Sequence, residues 1–283
     1  TLNIVNAATG ANEFDANNDV FETINLVAFS ATAAPTITTG AYTLGTGQTL
    51  TINAGGLAAT NVVTVTGTQA VSPLNITTGS ASDIIAGGTN ADIISSGAGN
   101  DTITTTGPVG DVVDAGAGND IINLGTGADN IDAGAGNDTI AAGANLKNTD
   151  TIDGGAGTDT MTIGAAISNS SVMGGVSNIE VINVTGANNT TTDGDMGGAT
   201  TFVINDNNAQ ILTLGGLGKT WTPDTTVSVT SGTTMTNKAV LNSANVGLTV
   251  KVDDAEMVDA FTLTGGTGTD TLEIKATGNS ADV

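Results

Sequence analysis

The chain has 283 residues, with 28 acidic side chains against five lysines, no histidine, no cysteine and a formal charge of −23. That balance argues against nucleic acid and anionic membrane as partners, since both need clustered positive charge, and no apolar run nears the roughly 18 residues that cross a bilayer. Without cysteine there is no disulfide framework or thiolate metal site, and without histidine there is no zinc-protease signature or Ser-His-Asp triad, so an enzyme active site is not expected and cations are the natural counter-charge.

Residues 1–76 form an N-terminal β-rich region. The chain opens at Thr1-Leu2-Asn3 without an initiator Met or a cleavable signal peptide, which reads as a fragment or a processed product. Short β-branched runs follow at Leu2-Asn3-Ile4-Val5, Val20 to Leu26, Thr49-Leu50-Thr51-Ile52 and Val62-Val63-Thr64-Val65. Several alternate apolar with Thr or Asn, the period of a strand with one face inward. Asp15-Ala16-Asn17-Asn18-Asp19 starts like an EF-hand loop, but Val20 stands where glycine is needed and Leu26 where the bidentate Glu belongs, so a surface turn is the better reading.

Residues 77–163 are periodic. Aspartates stand at 83, 92, 101, 111, 120, 129, 138, 150 and 159, in steps of 9, 9, 10, 9, 9, 9, 12 and 9 residues. Two residues after each comes a large apolar side chain: Ile85, Ile94, Ile103, Val113, Ile122, Ile131, Ile140, Ile152 and Met161. Glycines crowd the residues before the aspartate, at Gly97 and Gly99, Gly116 and Gly118, Gly125 and Gly127, Gly134 and Gly136, and Gly155 and Gly157. Each unit therefore reads as a tight turn, a carboxylate and a very short strand, and a strict period outranks composition in deciding architecture. Nine turns in phase leave little room for a set of unrelated polar turns in a β-sandwich.

With one turn and one strand per unit, two units make a coil, and turns on the same edge come from units n and n+2. The carboxylates then pair as Asp83 with Asp101, Asp92 with Asp111, Asp101 with Asp120, Asp111 with Asp129, Asp120 with Asp138, Asp129 with Asp150 and Asp138 with Asp159, which gives about seven sandwiched sites. Coils stack about 4.8 Å apart, so neighbouring carboxylates would repel by about 3 kcal/mol at an effective dielectric of about 20. Without a cation the coil is not expected to hold. A shell of carboxylate and carbonyl oxygens, with no nitrogen or sulfur, suits Ca²⁺ better than Zn²⁺, and its adaptability suits Ca²⁺ better than Mg²⁺.

Units such as Ala115-Gly116-Ala117-Gly118-Asn119-Asp120-Ile121-Ile122-Asn123 and Gly154-Gly155-Ala156-Gly157-Thr158-Asp159-Thr160-Met161-Thr162 resemble the G-G-x-G-x-D-x-U-x pattern of the RTX (repeats-in-toxin) family, where U is a large apolar residue. The resemblance implies a calcium-binding parallel β-roll, with carbonyl oxygens of the glycines at positions two and four joining the aspartate as ligands. The units ending at Asp83, Asp111 and Asp150 lack the glycine pattern or carry insertions, so their sites are expected to be incomplete.

Residues 164–283 form a C-terminal β-rich region with strand-like runs at Ile179 to Val184, Phe202-Val203-Ile204, Ile211 to Leu214, Val227-Ser228-Val229, Leu248 to Val252 and Phe261-Thr262-Leu263. Ile179 to Val184 resembles Phe21 to Leu26, as if one structural unit were used on both sides of the repeats. An isolated repeat at 265–273 places Asp270 in either a capping turn or an ion site. Gly218-Lys219-Thr220 lacks the first glycine of a phosphate-binding loop, and Asp193, Asp195, Asp253, Asp254 and Glu256 read as solvated acidic loops.

The fold class is therefore all-β: a parallel β-roll or β-solenoid flanked by short-strand β-regions that are themselves solenoid or sandwich. The Thr-, Ala-, Gly- and Asn-rich flanks, with the Ser177 to Thr185 stretch, resemble RTX-containing bacterial surface-layer proteins. That resemblance implies a secreted, extracellular structural protein at the bacterial cell surface, exported by type I secretion and self-assembling with Ca²⁺ into a homo-oligomer or lattice, with a cell-surface polysaccharide as candidate anchor. The alternatives are an RTX adhesin or filament segment, or the non-catalytic type I secretion domain of a larger secreted enzyme.

Overall fold

The structure, a computed structural model, describes residues 48–67, 72–164 and 175–185 without interruption, and outside them residues 2–5, 12–15, 23–27, 34–38, 190–192, 201–204, 212–214, 225–229, 240–242, 248–253, 262–264 and 271–275. Every regular element of more than one residue among these is a β-strand, and every described strand pairing is parallel. Two compact units divide the chain, the first comprising residues 1–141 with 149–157 and the second residues 142–148 with 158–283.

In the first unit the strands alternate between two sheets as the chain advances. Sheet I contains, in order, Leu2–Val5, Thr23–Val27, Leu50–Asn53, Leu74–Thr77, Ile93–Ser95, Val112–Asp114, Asn130–Asp132 and Thr151–Asp153. Sheet II contains Asn12–Asp15, Pro35–Thr38, Thr64–Thr66, Ile84–Ala86, Thr102–Thr104, Ile121–Asn123 and Thr139–Gly143. Each strand therefore pairs with the one two places on, which is the two-units-per-coil solenoid expected from the nine-residue period.

The register puts like on like. In sheet I, Ile24, Ile52, Ile76, Ile94, Val113, Ile131 and Ile152 lie side by side, and in sheet II Ile37, Val65, Ile85, Ile103, Ile122 and Ile140 do the same. All thirteen are buried. Each three-residue strand of the repeats thus sends its central residue inward and its first residue outward, and so buries one large side chain, which contributes about 1.5–3 kcal/mol. No single repeat can complete this core; the stacked neighbours supply the missing walls. The described strands of the N-terminal flank continue the same two ladders, which settles solenoid over sandwich for those strands.

In the second unit the strands Thr160–Gly164, Val181–Thr185, Thr201–Ile204, Thr225–Val229, Leu248–Asp253 and Thr271–Lys275 pair in that order, and Thr190–Thr192, Leu212–Leu214, Val240–Asn242 and Thr262–Thr264 pair separately. Alternation between two sheets recurs here, again the mark of a solenoid. Met161 aligns with Ile182, and Ile182 with Phe202. The turn carrying Asp270, the EF-hand-like segment after Asp15, the stretch 215–220 and the acidic residues Asp193, Asp195, Asp254 and Glu256 lie outside the described residues.

Candidate metal centre

A short strand preceded by a tight turn leaves one main-chain N–H at the corner, that of the aspartate itself, without a place in the strand ladder. The corner is buried, so that donor needs an acceptor. The aspartate of the next coil provides it. Asp83 N–H donates to Asp101 Oδ1 at 2.7 Å, Asp92 to Asp111 at 2.8 Å, Asp101 to Asp120 at 2.7 Å, Asp111 to Asp129 at 2.9 Å, Asp120 to Asp138 at 2.7 Å and Asp129 to Asp150 at 3.0 Å. Six of the seven expected pairs are thus joined directly; the seventh, Asp138 with Asp159, spans the division between the units and remains an expectation. The carboxylates do not face one another as bare charges. Each reaches back with one oxygen to the coil before it.

The ladder has ends that the spacing of aspartates does not reveal. At its start Asp83 Oδ1 accepts from Val63 N–H at 2.7 Å and Asp92 Oδ1 from Leu74 N–H at 2.8 Å, so main chain of the N-terminal flank closes it. In the second unit Asp159 N–H donates to Glu180 Oε2 at 2.8 Å, so Glu180 takes the place an aspartate holds elsewhere. The signal for Glu180 was its 21-residue distance from Asp159, the same coil length that separates Asp129 from Asp150.

The second oxygens are less well served. All nine aspartates are at most 2 % exposed. Asp101, Asp111 and Asp120 each keep Oδ2 buried with no hydrogen-bond donor. Ser96, which opens the turn that Asp101 closes, gives its hydroxyl proton to Ala115 O at 2.8 Å. Lys147 is the only basic residue between 77 and 163, and it is exposed. Buried carboxylates in this setting must be protonated or neutralised by a cation. Burial accordingly pushes Asp101 and Asp111 up to about 7 and Asp138 up to about 6, with the neighbouring carboxylates adding to the rise, and raises Asp83, Asp92 and Asp120 as well.

Around these oxygens the backbone is curled by glycine. Gly97 and Gly99 (φ +98° and +113°), Gly116 and Gly118 (+96° and +142°), Gly134 and Gly136 (+96° and +138°) and Gly155 and Gly157 (+84° and +148°) occupy the left-handed region open mainly to glycine. Successive turns stack backbone on backbone: a Cβ on Gly118 would lie 1.8 Å from Gly99 O, and one on Gly136 1.8 Å from Gly118 O. The residues between the glycines, Ala98, Ala117, Ala135 and Ala156, form a narrow parallel ladder in which Ala117, Ala135 and Ala156 N–H donate to Gly97, Gly116 and Gly134 O. Outside it runs a second ladder, with Asn119 N–H on Asn100 Oδ1 and Asn137 N–H on Asn119 Oδ1. Gly125 and Gly127, which share the sequence pattern, are not in the left-handed region.

Among the described residues no three Asp, Glu, His or Cys side chains converge on one point, so a cation here draws on backbone oxygens as well as carboxylates. The donor set is oxygen only, anionic, and includes buried carboxylate oxygens in want of a partner. It fits a hard divalent ion of the calcium type.

Comparison with known proteins agrees with this geometry. The model of the RTX calcium-binding nonapeptide repeat (4 copies) matches residues 77–107, 105–140 and 148–165. No curated protein and no solved structure gives a significant match. The roll, from its first strands after Leu74–Thr77 to Thr160–Gly164, is a run of RTX calcium-binding nonapeptide repeats.

Proposed function

We propose that this chain is an extracellular structural protein: a solenoid stiffened by Ca²⁺ in a bacterial surface layer or sheath, self-associating through its flanks and without catalytic activity. The observation that supports this reading best is the continuity of the inner ladder, which runs from Ile24 through Ile52 and Ile76 into Ile94 and the repeats. A flank that shares one core with the repeats transmits stiffness, whereas a tethered module would be mechanically separate. The charge of −23 means that copies repel until cations neutralise them, which couples assembly to the same ions. Calcium would be held along this aspartate ladder, between Asp83 and Asp159, by carboxylate oxygens together with turn carbonyls. By analogy with other RTX-repeat proteins, the chain would cross the envelope unfolded where calcium is scarce and fold outside.

Electron microscopy of the purified full chain before and after adding calcium tests the reading. Ordered two-dimensional sheets that dissolve in chelator are expected. A monomer at saturating calcium that instead binds a glycan or a cell would overturn the structural role in favour of an adhesin.

A further inference from the structure

The coils have two edges, and within the first unit they are built differently. Turns 96–101, 115–120 and 133–138, with 154–157 after them, lead from sheet I to sheet II and make the first edge; turns 87–92, 105–111 and 124–129 lead back and make the second. The eight left-handed glycines that form alternating pairs are on the first edge, whereas the second-edge turns 87–92, 105–111 and 124–129 hold a single one, Gly107 (φ +88°). So is the ladder of Ala98, Ala117, Ala135 and Ala156. There Asp101 and Asp120 hold their second oxygens buried without a donor.

On the second edge, hydroxyl groups stand between the coils. Thr106 Oγ1 donates to Gly87 O at 3.1 Å and bonds Gly88 O more closely still, and Thr126 Oγ1 donates to Gly107 O at 2.8 Å. Thr105 Oγ1 receives Gly125 N–H at 2.6 Å and lies 3.5 Å from Asp129 Oδ2. Gly88 N–H donates to Asp92 Oδ2. These hydroxyls bring side-chain donors to the Gly87, Gly88 and Gly107 carbonyls, whereas the first-edge Gly97, Gly116 and Gly134 carbonyls accept the main-chain N–H of the next coil's alanine; Asp111 Oδ2 stays buried without a donor.

Resting on the calcium reading of the aspartate ladder, we infer that the roll is loaded on one side: divalent cations occupy the first edge, between the coils of Asp101, Asp120 and Asp138, while the second edge from Gly87 to Asp129 is closed by the hydroxyls of Thr105, Thr106 and Thr126. The second edge is a permanent seam and the first a calcium-dependent one. Loss of calcium then opens the coil from one side, about a hinge that keeps its hydrogen bonds.

A trace of Mn²⁺ added to the calcium-loaded, nitrogen-15-labelled full chain tests this, because a paramagnetic ion broadens only nearby amides and the three-residue strands separate the edges by on the order of 10 Å. The amides of Asn100, Asn119 and Asn137 are expected to lose at least five times more intensity than those of Thr106 and Thr126. Equal loss on both edges would overturn the one-sided assignment while leaving calcium binding intact. Loss on neither edge would remove the calcium reading itself. As a second measurement, Asp120→Asn should lower the calcium bound at equilibrium dialysis by at least one ion per chain, and an unchanged count would contradict a first-edge site.

Discussion

Replacing Asp120 by Asn and by Ala separates the two jobs of a ladder carboxylate. Both substitutions remove the same negative charge, so both weaken any cation site at this coil. They differ in one respect: the Asn amide oxygen can still accept the Asp101 N–H that Asp120 Oδ1 holds at 2.7 Å, whereas Ala leaves that buried donor stranded. A hydrogen bond to a charged acceptor contributes about 1.5–3 kcal/mol, and an unsatisfied buried donor costs about 1–3 kcal/mol. Asp120→Ala should therefore be less stable than Asp120→Asn by about 2 kcal/mol at saturating calcium. With a urea slope of about 2 kcal/mol per molar, that is a midpoint lower by about 1 M. The assay is urea unfolding in excess calcium followed by far-UV circular dichroism. Coincident curves for the two variants would refute the claim that the aspartates hold the coils together by main-chain bonds as well as through cations.

Three further outcomes follow from the same geometry. With chelator present, Asp101 and Asp111, raised to about 7 in the fold against 3.8 as the reference value, take up protons on folding, so the metal-free chain should gain β-structure as pH falls from about 7 toward 4, and calcium should lose its effect over the same range; a chelated chain that unfolds further on mild acidification would contradict this. Glu180→Ala strands the Asp159 N–H and should lower the calcium-loaded urea midpoint measurably, by about 1–3 kcal/mol in stability, while Glu180→Gln keeps the acceptor and should cost less than half as much. Gly118→Ala sets a Cβ 1.8 Å from Gly99 O at φ +142°, so it should abolish the calcium-induced dichroism that Gly56→Ala, with open space around its Cβ, leaves intact.

Much of this architecture can be read in the residue order, because the nine-residue period ties turn, carboxylate and inward side chain together. The pairing of Asp83 with Asp101 and of Asp101 with Asp120 follows from two units per coil, and the buried ladders from the residue two places after each aspartate. What stays hidden has physical reasons. Glu180 carries no alternating glycine motif before it and is one methylene longer, so its 21-residue distance from Asp159 is the one mark of a ladder member. Asn12–Asp15 and Pro35–Thr38 are strands by virtue of the neighbours they stack on, their own alternation being weak. The seam of Thr105, Thr106 and Thr126 is invisible among many threonines. Its trace is the irregular step between Asp101 and Asp111, which the structure places in a second-edge turn.

The central claim is that cations complete the aspartate ladder and so decide whether the roll forms. Far-UV circular dichroism of the chelated chain during calcium titration tests it most directly. A cooperative gain of β-signal is expected as calcium is added. A spectrum already β-rich in excess chelator at neutral pH, and indifferent to calcium, would contradict it.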